Sequence, residues 1–176
     1  MVKRYIYELR VAPQRSLPAS SRPMLDFRTC PADEEPGAAL VQGMRDEIAA
    51  LYSGLDLDGP QMPKAGPREL APPGGTFVVG FEGDLPVCCG GLKRLPDGAC
   101  EIKRMFVVDA ARGRGVARAL LAELERRARD LGYTVARLDT GPRQPRARRM
   151  YERAGYVPIA NFNGNPVASF FGEKRL

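Results

Sequence analysis

The stretch that most constrains this chain runs from Glu101 to Leu131, EIKRMFVVDAARGRGVARALLAELERRARDL. It reads as a strand, a short Arg/Gly loop and an amphipathic helix. The loop is Arg112, Gly113, Arg114 and Gly115, and Val116 and Ala117 open the helix. Small residues let an anion approach the backbone. The first turn of a helix offers unpaired N–H groups, and the helix dipole puts its positive end at the same place. With two arginines beside it, the loop reads as a phosphate cradle.

Taken alone, the loop leaves three readings. Strand, Gly113-x-Gly115, helix, strand and then Asp139 imitates a dinucleotide-binding fingerprint. Its third glycine position is Arg118, however, where close helix–sheet packing needs a small residue. A P-loop needs Lys-Ser/Thr after the last glycine, and Val116-Ala117 stands there instead. The plain alternative is a tight strand–helix connection with surface arginines.

The rest of the chain supplies the frame. Residues 1–22 form an extension of unsettled order, with a short strand suggested by the alternation of Tyr5, Tyr7 and Leu9. A domain over residues 23–176 follows. Met24 to Thr29 reads as a first strand. Leu40, Val41, Met44, Ile48 and Leu51 recur at helical spacing over Ala38 to Tyr52. Ser53 to Gly75 is rich in Gly and Pro and reads as a long loop with a helical turn near Arg68 to Leu70. Loops of that length inside a compact domain are often functional. Strands over Thr76–Phe81, Val87–Leu95 and Cys100–Val108, joined by turns at Gly83-Asp84 and Pro96-Asp97-Gly98, make an antiparallel meander.

After the cradle, the helix carries an apolar stripe of Val116, Leu120, Leu121, Leu124, Ala128 and Leu131. Glu123–Arg127 and Glu125–Arg129 read as exposed i,i+4 pairs. Gly132 is its C′ residue. Thr134 to Asp139 is a strand, and the helical crossover makes it parallel to the one before the cradle. Pro145 to Ala154 is a further helix closed by Gly155, and strands over Tyr156–Ile159 and Ala168–Lys174 end the chain.

Composition removes several chemistries. The 176 residues contain no His, so a His-based triad is excluded. Cys30, Cys88, Cys89 and Cys100 lack C-x-x-C spacing, so no metal is expected. The adjacent Cys88 and Cys89 would point to opposite faces of a strand, and all four read as reduced thiols of a cytoplasmic protein. The start, MVKRYIYELR, lacks a signal-peptide core, and no apolar run approaches the roughly 20 residues that span a bilayer. The net charge of +6 favours anionic partners. Nucleic acid would require aromatics interleaved with the basic run, and only Tyr151 and Tyr156 stand there.

Arg112-x-x-Gly115-x-Ala117 matches the Q/R-x-x-G-x-G/A signature of the GNAT superfamily of N-acetyltransferases. Arg146 to Tyr156, RARRMYERAGY, resembles that family's A-x-x-x-Y-x-x-x-G-F/Y block, thirty residues beyond as measured from Ala117 to Ala147. The resemblance covers Thr76 to the C-terminus, and Met24 to Tyr52 by topology. It implies the acyl-CoA N-acyltransferase fold: a mixed, mostly antiparallel sheet with helices on both faces and a splay between strands four and five.

It also implies acetyl-CoA as cosubstrate. Backbone N–H groups of Gly113, Arg114, Gly115, Val116, Ala117 and Arg118 would meet the pyrophosphate, Arg112 and Arg114 would add charge, and Met105, Phe106 and Val107 would run along the pantetheine. Tyr151 matches the tyrosine that donates to the departing sulfur; as a residue it also reads as a core aromatic. Glu101 stands where several members carry a general base, and equally reads as a strand carboxylate paired with Lys103 on the same face. Gln144 replaces the family's frequent Asn near the pantetheine. The basic run of the last helix reads either as a solvated face or as partly a site for the CoA 3′-phosphate.

The acceptor would be a small-molecule or peptide amine met by residues 46–75 and 161–168. The acids Asp46, Glu47, Asp56, Asp58 and Glu69 lean toward a cationic one. Asn161, Asn163 and Asn165 stand where an acceptor mouth would be. Many members dimerise, so a homodimer stays open. The rival readings are a non-catalytic CoA-binding module and a basic nucleic-acid-binding protein.

Overall fold

The computed structural model describes residues 25–176. The extension read over residues 1–22, with its suggested strand, lies outside the described residues.

Strands β1 (Asp26–Thr29), β2 (Thr76–Glu82), β3 (Leu85–Arg94) and β4 (Cys100–Val107) form the antiparallel meander in order. The β2–β3 hairpin turns on Gly83-Asp84, as its sequence requires. Helix α1 (Gly37–Leu51) separates β1 from β2. A short 3-10 turn over Asp109–Ala111, not visible in the periodicity, follows β4 and leads to α2 (Val116–Asp130). Then come β5 (Val135–Thr140), α3 (Pro145–Arg153), the two-residue β6 (Val157–Pro158) and β7 (Phe170–Arg175). The sheet order is β1-β2-β3-β4-β5-β7-β6. Among the described residues only the β4–β5 pair is parallel, as a helical crossover between neighbouring strands requires.

Both faces of the sheet are covered. Val116, Leu120, Leu121, Leu124 and Ala128 of α2 pack against Val78, Cys88 and Leu92 on one face. Leu40, Val41, Met44 and Ile48 of α1 pack against Phe77, Val79, Phe81 and Cys89 on the other. The period of two along β2 and β3 sends neighbours to opposite cores, so Cys88 and Cys89 part as expected. Burial pushes the Cys88 thiol up to about 12, which makes it an inert core group.

Helix α2 ends as its glycine requires. Gly132 N–H donates to Arg129 O (2.9 Å) and Tyr133 N–H to Ala128 O (2.9 Å), the paired bonds of a Schellman ending. Helix α3 repeats it: Gly155, at φ +94°, donates to Glu152 O, and Tyr156 N–H donates to Tyr151 O at 3.1 Å. This ending holds Tyr151 and Tyr156 edge to face, with ring centroids 6.1 Å apart.

Three expectations are corrected. Glu125 is buried, not exposed; it takes two hydrogen bonds from Lys174 Nζ (2.7 and 2.8 Å), and Arg129 stays 3.9 Å away. Spacing alone could not tell that position 125 sits at the border of the apolar stripe, beneath β7. Leu131 is not part of that stripe: it is the C-cap and is 39% exposed. The strand read from Tyr156 shrinks to Val157–Pro158, because the chain leaves the edge of β7 after two pairs. The loop over residues 53–75 contains the expected turn, with Leu70 N–H donating to Gly66 O (3.1 Å), and it buries Ala65 and Leu70. No helix among the described residues is long and apolar enough to cross a membrane.

Candidate active site

The parallel pair holds together only briefly. β4 meets β5 at Cys100–Ala136 and Glu101–Arg137 and nowhere beyond. β5 keeps six pairs with β7 along its whole length, three of them past that point, while β4 stays with β3. From Ile102 onward the β5-facing edge of β4 has no strand partner among the described residues, a wider opening than the Met105–Val107 segment expected from sequence. An unpaired edge offers backbone donors and acceptors to an extended ligand.

A bulge shapes that edge. Gly91 faces Lys103 and Cys89 faces Phe106, so Gly90 alone opposes Arg104 and Met105. Arg104 takes φ +59°, a region that ordinarily costs a non-glycine residue about 1–2 kcal/mol. Its buried guanidinium holds it there, donating to Ala65 O (3.1 Å) and Asp58 Oδ1 (2.7 Å). The bulge re-aims the side chains. Met105 faces the fork, Phe106 turns to a groove beneath α1 beside Gly43, and Val107 enters the core under α2. The three residues assigned to the pantetheine therefore share an edge and not a face.

At the far end of β4 lies the Arg/Gly loop. Gly113 and Gly115 take φ +75° and +85°, and a Cβ at either would meet nothing within 4 Å. Gly115 is the N-cap of α2 and has no capping side chain. Among the described residues, no backbone acceptor takes the N–H of Gly113, Arg114 or Gly115. The cradle is thus open and donor-rich. Its arginines are engaged elsewhere: Arg112 donates to Val107 O (2.9 Å) and pairs with Glu47 and Asp109, and Arg114 pairs with Glu82 (2.9 Å). Between the start of α2 and α3, Arg118, Arg146, Arg149 and Arg153 line a groove. Among the described residues none of these four has an ion pair, whereas Arg148 beside them is spent on Glu152.

The fork opens into a cleft of about 140 Å³. Met105 and Tyr151 lie on its floor, Asp139, Thr140, Gly141 and Gln144 on the β5 side, and α1 with the loop after it on the other. Tyr151 is buried, and among the described residues its hydroxyl has only the Met105 sulfur as partner, at 3.8 Å. Burial first, and then the charge of Asp139, push this phenol up, so it keeps its proton. Gln144 Oε1 accepts from Thr140 Oγ1 at 3.3 Å, which ties the longer amide to the end of β5.

Glu101 is fully buried and lies beside the fork without lining the cleft. Its Oε1 takes Asn163 Nδ2 (2.6 Å) and Lys103 Nζ (2.9 Å). Lys93 Nζ stands 3.0 Å from Oε2, near enough for charge but off the angle of a hydrogen bond, and donates to Lys64 O instead. Lys103 also reaches Asp139 Oδ1 (2.9 Å), while Asn163 and Asn165 donate to Asp139 Oδ2 (2.9 and 2.8 Å). Two carboxylates and two ammoniums form one buried set, and Asp139 is its carboxylate at the cleft wall. Sequence reading missed Asp139 in this role. The available signal was a carboxylate closing a strand parallel to β4, beside an Asn-rich loop.

Burial alone would raise the Asp139 carboxyl. The charge of Lys103 and the bonds from Asn163, Lys103 and Asn165 outweigh it and hold the group below its ordinary range. A depressed carboxylate contributes stability above its unfolded value, near 3.9, and loses it as pH falls through the lower folded value. The urea midpoint of the wild type should therefore exceed that of Asp139→Asn at pH 6, and the gap should close between about pH 4 and 2. A gap independent of pH would remove the carboxylate's charge from the account.

The five acids expected to face an acceptor do not line the cleft. Asp46 accepts from Gln42, Glu47 pairs with Arg112, Asp56 caps the Asp58 N–H, Asp58 holds Arg45 and Arg104, and Glu69 caps the Gly66 N–H. Of the three asparagines, Asn165 reaches the cleft, Asn163 bridges Glu101 to Asp139, and Asn161 folds its own loop.

Comparison with known proteins gives the following. The model of the Acetyltransferase (GNAT) family matches residues 41–156. A protein named IAA acetyltransferase from Azospirillum brasilense is 34% identical over 113 residues, covering 62% of this chain and 73% of that protein. An acetyltransferase of the GNAT family from Staphylococcus aureus Mu50 superposes with a TM-score of 0.69 at 17% identity, over 86% of this chain and 99% of that one. A GNAT family acetyltransferase from Elizabethkingia anophelis with acetyl-CoA bound superposes with a TM-score of 0.60 at 13% identity, over 86% and 98%.

Proposed function

The chain belongs to the GNAT acetyltransferase family, and from that premise we propose that it moves the acetyl group of acetyl-CoA onto a primary amine held in the same cleft. The observation that carries this reading is the fork itself. A free strand edge leads from an uncapped, positive helix start to a buried tyrosine. The residues fit the thioester. The cradle has space where a Cβ would stand, and among the described residues its N–H groups have no backbone acceptor and four arginines without ion pairs border it.

Acetyl-CoA supplies an activated acetyl carbon. The N–H groups from Gly113 to Arg118 hold its pyrophosphate, and Arg112 and Arg114 exchange their carboxylate partners for phosphate oxygens. Part of the Arg118, Arg146, Arg149 and Arg153 group takes the 3′-phosphate. The backbone of Met105 to Val107 pairs with the extended arm, with Gln144 opposite. Tyr151 donates to the sulfur as charge gathers there. The amine nitrogen bonds the acetyl carbon, the carbon–sulfur bond breaks, and the proton that the amine loses replaces the one the sulfur needs. Glu101 serves this end from behind the wall: through Lys103 and Asn163 it positions Asp139, and water carries the proton from the amine to the sulfur.

Titration with acetyl-CoA tests the binding half of the reading. The wild type should bind at micromolar concentration or tighter, and Gly115→Val should weaken binding by an order of magnitude or more, because a β-branched residue resists positive φ and its side chain enters the cradle. Equal affinity in the two proteins would remove the loop from the site.

A further inference from the structure

We infer that the acceptor is a primary monoamine with an apolar body, an alkyl or arylalkyl amine, rather than a polycation such as a polyamine, an aminoglycoside or a lysine-rich peptide. This rests on the acetyl-transfer reading and specifies its second substrate. The wall facing β4 and β5 is built from Met44, Ile48, Tyr52, Leu55, Leu57 and Met62. These come from the inner face of α1 and from the proline-rich loop after it. Leu55, Leu57 and Met62 are only part-buried, so they retain apolar surface that a ligand would cover.

The same wall is strapped across the cleft. Tyr52 Oη accepts the Arg143 N–H (3.1 Å) and Leu51 O accepts from the Arg143 guanidinium (2.8 Å). An apolar group entering beside Tyr52 is thus enclosed rather than left on a surface.

Charge points the same way. Asp139 is the carboxylate of the lining, and Lys103, Asn163 and Asn165 already take its oxygens. The other charged side chains there are Lys103 and Arg104, both cationic. A second ammonium would have to lie against apolar wall or beside these cations, with no free anion to replace its water. The reacting nitrogen itself must be neutral to attack, and Asp139 and Asn165 at the inner end can orient it. The five acids that would otherwise favour a polycation stay outside the lining: Glu47 and Asp58 pair with arginines, and Asp46, Asp56 and Glu69 bond neighbours in their own segments.

Acetyl-CoA consumption should be followed with 2-phenylethylamine and hexylamine against spermidine, kanamycin and a lysine-bearing peptide, with acetyl-CoA binding measured separately. The expected result is kcat/KM for the two apolar monoamines at least tenfold above that for every polycation. Met62→Asp, in the loop and outside the core clusters, or Leu57→Asp, part-buried at the margin of the α1 core, should lower those values roughly ten- to a hundredfold through KM. Their acetyl-CoA affinity should stay within about twofold of the wild type, since both lie away from the cradle. Preference for a polycation, or acetyl-CoA binding without turnover of either apolar amine, overturns the acceptor assignment and leaves the cradle standing. A wild-type protein that does not bind acetyl-CoA overturns both.

Discussion

Tyr151→Phe should lower kcat roughly a hundred- to a thousandfold, the range a positioned donor to a leaving group supplies. The substitution is clean because of what the hydroxyl does not do. Its partner is a thioether sulfur at 3.8 Å, a weak acceptor, so its loss leaves no buried group orphaned. The ring keeps its edge-to-face contact with Tyr156 and its place under α3. Thermal midpoint and acetyl-CoA affinity should therefore stay near the wild type while turnover falls. Burial and the Asp139 charge hold the phenol protonated through the working pH range. It acts as a hydrogen-bond donor, and no limb of the pH–rate profile should belong to it. Wild-type kcat in the Phe variant would return Tyr151 to the role of a core aromatic.

The largest loss of stability should come from Lys103→Met. Among the described residues Lys103 is the one cation that touches both Glu101 (2.9 Å) and Asp139 (2.9 Å), and its side chain is 12% exposed. Removing it strands two buried carboxylates with Lys93 as the remaining cation beside Glu101. Breaking such a set typically costs about 3–5 kcal/mol. At pH 7 the urea-unfolding free energy should fall by about that amount. The deficit should shrink as pH drops, because a carboxyl left without its cation is raised and takes a proton before the unfolded chain does. Adding Glu101→Gln should recover much of the loss, since the double variant buries one charge fewer. A loss below about 1 kcal/mol, typical of exposed pairs, would mean the set is solvated in solution.

How much of this could be read from the chain depends on distance in sequence. The hairpin at Gly83-Asp84, the stripe of α2 and its ending at Gly132 are local, set by residues within a turn or two of one another. The cradle is local too, since Gly115 and the first turn of α2 are contiguous. The parallel β4–β5 pair followed from the crossover, since a helix between two neighbouring strands carries the chain back to the end where the first began. What failed was whatever depended on residues far apart. Glu125 is buried because Lys174, at the other end of the chain, lies over it. Glu101 was read beside Lys103, which is right, but Asn163 and Lys93 close it off from the cleft. Asp58 and Glu47 looked free because their partners Arg45, Arg104 and Arg112 come from other elements.

The sequence by itself determined the frame of this protein: a meander, a crossover, and an anion cradle at the start of α2, all from short-range periodicity and turn chemistry. The tertiary structure alone decided which polar groups face the cleft. The bulge at Arg104 turned Met105 inward and Phe106 away. The early parting of β4 and β5 set the length of the free edge. The Asn loop brought Asp139 to the wall and shut Glu101 behind it. The physical reason is that a polar side chain follows its partners, and here those partners are brought together only by the packed sheet.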